Sequence, residues 1–231
     1  SGLICIRNHL SNHQRIFNKP ILHASLVEVD GQGVLIPGGS RQGKTTLTVY
    51  LMQEKGAIFV SDDNVFLDLS LDQARGLYVP RTIGIRFSTI SESRLVGILD
   101  NISLTKATQY IDPDAIERII NSKSYHVDAG LSFSRMSFCE LLGTTSKESA
   151  LIDLVLFPNY THNKKVVIKK LTNTEGVRRL GMTGLAKKTD IDPRELSESP
   201  VTLNQKNYRG TKFLELSFSS FANLLNGGIK L

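Results

Sequence analysis

The eight residues from Gly38 to Thr45 are Gly-Gly-Ser-Arg-Gln-Gly-Lys-Thr, a glycine-rich stretch that ends in a lysine and a hydroxyl side chain. They follow an apolar run, 33–37, and precede a stretch with helical apolar spacing, 46–52. Strand, loop and helix in this order are the context in which the pattern G-x-x-x-x-G-K-[ST] binds phosphate. The alternative is a glycine-rich turn that meets the pattern by chance. The pattern predicts an α/β core.

Each residue type in this pattern has a physical task. Glycines let backbone N–H groups turn toward phosphate oxygens, and the helix N-terminus adds a favourable dipole. Lys44 is predicted to reach the β- and γ-phosphates, and the Thr45 hydroxyl to bind Mg²⁺. The sequence thus predicts binding of a nucleoside triphosphate, ATP or GTP, and no residue specifies adenine over guanine. The predicted nucleotide-binding residues are Gly38, Gly39, Ser40, Arg41, Gln42, Gly43, Lys44, Thr45 and Thr46.

Two adjacent carboxylates, Asp62 and Asp63, follow the short apolar segment 57–60. A triphosphate site needs a carboxylate at the end of a neighbouring strand to hold Mg²⁺. On an extended segment adjacent side chains diverge, so one can face the metal while the other faces an incoming hydroxyl. Such a carboxylate can accept the proton of that hydroxyl. The alternative is a plain acidic turn before Asn64.

Composition places the chain among ordinary globular proteins. Its 231 residues suffice for one sizeable domain or two small ones, with 40% of residues apolar and 22% charged. No run approaches the roughly 18 apolar residues of a membrane span, and no secretory signal pattern opens the chain. The two cysteines, Cys5 and Cys139, are far apart in sequence, which favours free thiols in a reducing cytoplasm.

The net charge of +6 is unevenly distributed. Residues 1–162 carry 15 basic and 16 acidic side chains, whereas residues 163–231 carry 13 basic and 6 acidic ones. A basic C-terminal third can attract nucleic acid or an acidic substrate. It has few interleaved aromatic residues and no recognisable nucleic-acid motif. A solvated or substrate-steering surface is therefore favoured, and nucleic acid is disfavoured as a partner.

Local patterns predict many short strands and few helices. The first two strands are predicted to form a hairpin around Asp30-Gly31. Predicted strands occupy 22–29, 33–37, 57–60, 65–69, 76–79, 151–157, 165–169 and 213–218. Predicted helices occupy 44–55, which ends at Gly56, 113–121, 172–186 and a segment that opens at Asp192-Pro193.

The simplest interpretation is one α/β domain over residues 1–231, with strands joined by short turns rather than regular βαβ crossovers. Residues 1–18 are interpreted as a leader or the remainder of an upstream segment. Signals weaken between residues 91 and 148, which makes this segment either a substrate-facing insertion or a loop.

Three stretches around the glycine-rich loop resemble the catalytic domain of HPr kinase/phosphorylase and the HPr-kinase-like enzymes that phosphorylate small molecules or ribosomal peptides. They are Leu22-His23-Ala24-Ser25, the segment from Gly33 to Thr45, and the segment from Phe59 to Val65. The resemblance is good over residues 20–90 and weaker beyond. It implies a P-loop core on a mixed, hairpin-rich sheet, similar to phosphoenolpyruvate carboxykinase, with ATP or GTP and Mg²⁺ as cofactors.

The resemblance also implies roles for individual residues. Lys44 and Thr45 match the family's phosphate and Mg²⁺ residues. Asp62 and Asp63 match its acidic pair, with Asp62 favoured as the catalytic base and Asp63 for the metal. His23 matches a histidine near the reacting phosphate, although it can equally be a strand-end histidine bound by backbone groups.

Arg81-Thr-Ile-Gly-Ile85 resembles the family's Arg-Gly-Leu-Gly-Ile segment, with Thr82 in place of the first glycine. Arg81 is therefore a candidate for stabilising the transferring charge, and Arg86 is a lesser candidate.

These features favour a kinase that transfers the γ-phosphoryl group to a hydroxyl of a small molecule or of a peptide or protein. The chain does not match the amino-terminal domain of HPr kinase, so HPr itself is not the expected acceptor. Two alternatives stay open: a nucleotide-switched regulatory module in which 122–148 orders on binding, and a nucleic-acid-dependent NTPase that uses the basic third. The sequence is compatible with a homo-oligomer.

Overall fold

The computed structural model describes residues 19–86, 89–90, 93, 130–161, 165–183, 203–220 and 224–225. These residues form a mixed α/β fold. The strands are β1 (Ile21–Leu22), β2 (Ala24–Val29), β3 (Gln32–Pro37), β4 (Ile58–Ser61), β5 (Val65–Asp68), β6 (Arg75–Leu77), β7 (Ile83–Arg86), β8 (Gly130–Phe133), β9 (Ser149–Leu151), β10 (Leu154–Tyr160), β11 (Val167–Leu171) and β12 (Lys212–Phe218). The helices are α1 (Lys44–Lys55), α2 (Arg135–Leu141) and α3 (Asn173–Thr183), with a 3₁₀ turn at Gln205–Asn207.

The largest sheet is mixed and has the strand order β11-β12-β10-β3-β2-β4. Strand β10 pairs in parallel with both β3 and β12. Strand β2 is antiparallel to both β3 and β4, so β4 runs in the same direction as β3. The carboxyl ends of β3, β4, β10 and β12 therefore meet at one edge of the sheet, together with the start of β2. This confirms the predicted mixed α/β fold.

The predicted hairpin around Asp30-Gly31 is confirmed. Strands β2 and β3 pair in register from Val29 with Gln32 to Ala24 with Pro37. Both turn residues have positive φ, 49° at Asp30 and 79° at Gly31. Two such residues match the twist of antiparallel strands, which is why Asp-Gly marks tight hairpins.

The prediction of one strand over 22–29 is wrong at His23. The chain bends there, and β1 pairs with β5 in a second sheet of order β1-β5-β6-β9. Leu22 and Ala24, on either side of the bend, are both fully buried. A run buried on both faces shows no alternation that marks where the chain leaves one sheet for another.

The predicted strand 151–157 is also divided, because its first residue ends β9 and residues 154–157 belong to β10. Between the two strands, the Asp153 carboxylate accepts a hydrogen bond from the Gly33 amide at 2.8 Å. The predicted strand 165–169 is β11 shifted by two residues. The last predicted strand is confirmed as β12.

The central strands of the six-stranded sheet are buried on both faces. Val34 and Ile36 pack in one cluster with α1 and α2, whereas Leu35 packs in a second cluster with Val177 and Leu180 of α3. Alternate side chains of one strand thus enter different cores, as the pleat requires. The helices flank the sheet and leave its strand ends open at the edges.

Two of the four predicted helices lie within the described residues and begin where expected. Helix α1 runs from Lys44 to Lys55 and ends at Gly56, which has φ 61°. Helix α3 begins beside Thr172, whose hydroxyl accepts a hydrogen bond from the Glu175 amide at 3.2 Å. This is half of the predicted capping box. The predicted helices 113–121 and at Asp192, and the part of 172–186 beyond residue 183, lie outside the described residues.

Residues 130–148 contain elements that sequence patterns do not indicate. Strand β8 pairs with β7, and Phe138 of α2 packs edge-on against Phe59 of β4 with 5.3 Å between ring centroids. The Phe59 amide and carbonyl bond to Thr145 and Lys147. Elements of four and seven residues are too short to show a clear period. Apart from Ser93, the remainder of 91–148 lies outside the described residues.

Replacing Phe138 by alanine is expected to lower the free energy of unfolding by about 3–5 kcal/mol, because a fully buried ring would leave a cavity. Met136 of the same helix is 79% exposed and provides a matched control. Chemical denaturation should show a change below about 0.5 kcal/mol for Met136→Ala. Equal destabilisation by the two variants would contradict the packing of α2 on the core.

Three further features of the described residues bear on the predictions made from composition. No described helix is long and apolar enough to cross a membrane. Cys139 is a free, buried thiol, and Cys5 lies outside the described residues. Lys165, Lys169 and Lys170 are exposed on and beside the edge strand β11. Lysines on an edge strand are solvated and discourage pairing with other strands.

Candidate functional site

The glycine-rich loop joins the end of β3 to the start of α1. It therefore lies at the edge where β3, β4 and β10 all end. Open α/β sheets bind ligands outside the carboxyl ends of their strands, where backbone groups and helix N-termini are exposed. The loop occupies that position in this chain.

A cavity of about 440 Å³ opens at this edge. Its wall combines most of the loop, both carboxylates of the predicted pair, and the segment that leads into β7. The lining residues are Gly39, Ser40, Arg41, Gly43, Lys44, Thr45, Thr46, Asp62, Asp63, Arg81, Thr82, Gly84, Arg86, Thr89 and Tyr160. Three predicted site residues, Gly38, Gln42 and His23, do not line the cavity.

Lys44 is a largely buried residue of the cavity wall, with only 7% of its surface exposed. Its ammonium group donates to the Gly39 carbonyl at 3.1 Å and lies 3.3 Å from His23 Nε2. Burial lowers the pKa of Lys44, while the charges of Asp63 and Asp62 act in the opposite direction. The ammonium is thus held at the base of the loop beside the carboxylates.

The loop already binds one oxygen atom of its own. The Gly39 amide donates to Oε1 of Gln42 at 2.6 Å. Gln42 therefore shapes the loop, although its side chain is not part of the cavity wall. The Gly39 N–H is thus bonded within the loop in this structure.

Gly43 is required at the junction of loop and helix. Its φ is 90°, and a Cβ atom built there would lie 2.6 Å from the Phe218 ring. Any other residue meets both an unfavourable backbone conformation and a steric clash. The junction of loop and helix α1 is therefore fixed by packing against the end of β12.

We expect Gly43→Ala to destabilise the fold by more than its backbone conformation alone would cost. Gly56→Ala is the matched control, because Gly56 also has positive φ at the other end of α1 but has open space around it. The control should lower the free energy of unfolding by about 1–2 kcal/mol in thermal or chemical unfolding, the cost of a left-handed alanine. Equal destabilisation by the two variants would contradict the packing of this junction against Phe218.

The two carboxylates diverge because of a tight turn. The Asn64 amide donates to the Asp62 carbonyl at 2.8 Å, and Asp63 between them has φ 63°. The extended arrangement predicted from sequence is therefore wrong, although the divergence itself is observed. A non-glycine residue in the left-handed region is strained, and such strain concentrates at functional sites.

Asp63 is surrounded by cationic and hydrogen-bonding groups. Its two oxygens lie 2.6 Å from His23 Nε2 and 2.6 Å from the Arg81 guanidinium, and the Lys44 ammonium is 4.0 Å away. Burial alone would raise the pKa of Asp63, but the hydrogen bond to His23 and the charge of Arg81 hold that pKa at about 2. Asp63 is therefore ionised at neutral pH.

Asp62 has the opposite environment. It is 4% exposed, and its Oδ1 accepts a hydrogen bond from the fully buried Ser25 hydroxyl on β2. Burial raises the pKa of Asp62, a shift that the Ser25 hydrogen bond reduces and the Asp63 charge increases. Two adjacent carboxylates with opposite pKa shifts can take different roles, one as a proton acceptor and one as an anion.

His23 occupies the bend between β1 and β2. Its ring contacts Asp63 and Lys44, so the alternative of a histidine bound by backbone groups does not describe its side chain. Its own carbonyl accepts from the Gly38 amide at 3.3 Å. His23 thereby connects the glycine-rich loop to the carboxylate turn.

Sequence patterns do not indicate three residues of the site: Ser25, Thr89 and Tyr160. Thr89 shares a hydrogen bond with Thr46 at 3.1 Å between hydroxyl oxygens, and Tyr160 ends β10. The available signal for Ser25 was a polar residue among the apolar residues at the start of β2. No sequence signal marks Tyr160, because its place at the site depends on β10 lying parallel to β3.

The donor set in the cavity suits Mg²⁺. Among the described residues no group of three or more His, Cys, Asp and Glu side chains converges as a metal cage. Magnesium does not need such a cage, because it binds one or two protein oxygens together with phosphate and water. Thr45 and Asp63 both line the cavity and offer a hydroxyl and an ionised carboxylate.

No protein-family model matches the sequence, and no curated protein matches it. Among solved structures, the Hpr(Ser) kinase/phosphatase from Coxiella burnetii is similar to this chain. The similarity covers 90% of this chain and 91% of that one, with 12% sequence identity and a TM-score of 0.36. At these values the similarity carries no information on what this chain binds or does, so its function is inferred from its own residues.

Proposed function

We propose that this chain is a Mg²⁺-dependent kinase that transfers the γ-phosphoryl group of ATP or GTP to a hydroxyl group. The observation that carries the proposal is the content of one cavity: a glycine-rich loop at a helix N-terminus, the ammonium of Lys44, and two carboxylates with opposite pKa shifts. The first two features bind phosphate. The third supplies a base and an anion, as transfer to a hydroxyl needs.

The phosphate groups of the nucleotide would lie along the loop. Loop amides would donate to phosphate oxygens, and Lys44 would reach the terminal phosphates. Thr45 and Asp63 would hold Mg²⁺. When bound there, the ion would neutralise charge on the terminal phosphates.

Asp62 would act as the base in the transfer step. It accepts the proton of the acceptor hydroxyl as the bond between that oxygen and the γ-phosphorus forms. The bond between the γ-phosphorus and the β–γ bridging oxygen breaks, and the nucleoside diphosphate leaves. The raised pKa of Asp62 favours this role, because a base is most effective when its pKa approaches the working pH.

Arg81 would stabilise the transferring charge. Its guanidinium is held 2.6 Å from Asp63 in the cavity wall, so it is already oriented before substrate binds. Arg86 on β7 lines the same wall and adds a second positive charge. Fixed cations at the position where negative charge develops are the main source of catalysis in phosphoryl transfer.

The acceptor is proposed to be a small molecule or a peptide or protein that carries a hydroxyl group, encountered in the cytoplasm. We would incubate the protein with γ-labelled ATP, Mg²⁺ and fractionated extract from the source cells, with Lys44→Ala as the control. Label that moves to one discrete metabolite or peptide, and only with the unmodified protein, is the expected result. Release of label solely as free phosphate, or tight binding without turnover, would contradict the kinase proposal.

A further inference from the structure

The two sides of the cavity differ in chemistry. In the order β12-β10-β3-β2-β4, the glycine-rich loop follows the central strand β3. The carboxylates follow β4, and His23 precedes β2, so these three side chains lie on one side of the loop. Tyr160 ends β10 on the other side and lines the same cavity.

This asymmetry gives a bound nucleotide a direction. The γ-phosphate must lie near Asp62 and Asp63 for transfer to a hydroxyl. The β- and α-phosphates then lie along the loop, farther from the carboxylates, and the nucleoside extends toward β10. Tyr160 lies on that side.

The Tyr160 ring is partly exposed and packs against a buried aromatic ring. It is 51% exposed, although it borders the cavity. The fully buried Phe218 ring supports it edge-on, with 6.0 Å between centroids and 82° between ring planes. Phe218 also abuts Gly43, so the aromatic pair is packed against the loop itself.

We propose that Tyr160 is the platform on which the purine base of the nucleotide stacks. The inference rests on the proposed function, because it requires a nucleoside triphosphate in the cavity. Base–aromatic stacking tolerates different bases because every base has a π-face. The platform therefore accepts adenine and guanine alike.

The test compares Mg²⁺–ATP with Mg²⁺–tripolyphosphate, which has the phosphates but no base. Calorimetric titration of Tyr160→Ala should show ATP affinity reduced by about tenfold or more, GTP affinity reduced by a similar factor, and tripolyphosphate affinity unchanged. Tyr160→Phe keeps the ring and should keep the affinity of the unmodified protein. Loss of tripolyphosphate binding in Tyr160→Ala would show that the residue only supports the loop, and would overturn the proposal.

A fluorescence measurement adds a direct readout. The chain contains no tryptophan, so Tyr160→Trp introduces a single indole whose emission reports on this position. Mg²⁺–ATP should quench that emission, whereas Mg²⁺–tripolyphosphate should not. Equal responses to the two ligands would contradict stacking.

The two proposals fail in different ways. If the nucleotide proposal is wrong, the unmodified protein binds neither ATP nor tripolyphosphate in a manner that Lys44→Ala abolishes. If only the stacking proposal is wrong, Lys44-dependent binding of both ligands persists and Tyr160→Ala leaves the affinity for ATP unchanged.

Discussion

Lys44→Ala is expected to weaken Mg²⁺–nucleotide binding by about 10- to 100-fold, since a charge-assisted hydrogen bond to phosphate is lost. Phosphoryl transfer should slow by a further factor on the order of 10²–10³, because the same ammonium stabilises charge that develops in the transition state. Calorimetric titration gives the first value, and label transfer from γ-labelled ATP gives the second. Among the described residues that line the cavity, Lys44 is the only lysine.

Lys147→Ala is the matched control for this experiment. Lys147 is an exposed lysine that pairs with Glu28 and lies outside the cavity wall. Its removal should leave both binding and transfer unchanged. Lys44→Arg should not restore activity, because a planar guanidinium does not fit the narrow space that a compact ammonium occupies. Tight nucleotide binding by Lys44→Ala would show that the loop does not hold phosphate.

Much of the fold around the loop could be predicted because its signals are local. The Asp30-Gly31 turn, the glycine that ends α1, and the lysine and hydroxyl at its start each depend on a few neighbouring residues. Such signals survive in a single sequence, since turn and cap preferences arise from backbone conformation. They suffice to place the glycine-rich loop between β3 and α1.

The bend at His23 could not be predicted, because it depends on a pairing distant in sequence. Strand β1 pairs with β5, more than forty residues later, and does not belong to the large sheet that contains β2. The bend directs His23 at Asp63, and no local pattern encodes that contact. The sequence patterns of short elements such as β8 and α2 do not indicate their structure, for the related reason that long-range packing, rather than periodicity, determines it.

The candidate site shows the same division between local and long-range information. Lys44 and the adjacent pair Asp62 and Asp63 could be identified from spacing alone. Ser25 acquires a role only when β2 and β4 are paired, and Tyr160 only when β10 lies parallel to β3. The opposite pKa shifts of the two carboxylates likewise require knowledge of burial and partners, which spacing does not provide.

Asp62→Asn is expected to reduce phosphoryl transfer by a factor on the order of 10²–10⁴, the usual contribution of a general base. The substitution keeps the side-chain shape, and the amide oxygen can still accept the hydrogen bond from Ser25, so the fold should be retained. Nucleotide affinity and the Mg²⁺ concentration that supports binding should change little. Label transfer to the identified acceptor, measured over a range of Mg²⁺ concentrations, tests all three expectations.

Asp63→Asn is the matched variant, because it changes the neighbouring carboxylate by the same atoms. Asp63 is ionised and held between His23 and Arg81. Its neutralisation should raise the Mg²⁺ concentration needed for half-maximal transfer, an effect that Asp62→Asn should not show. Intact transfer in Asp62→Asn would exclude it as the base. If Asp62→Asn instead raised the Mg²⁺ requirement while Asp63→Asn abolished transfer at saturating Mg²⁺, the two roles would be exchanged. The expected pattern and the exchanged pattern each assign the base and the metal ligand, because the two substitutions differ only in which carboxylate they neutralise.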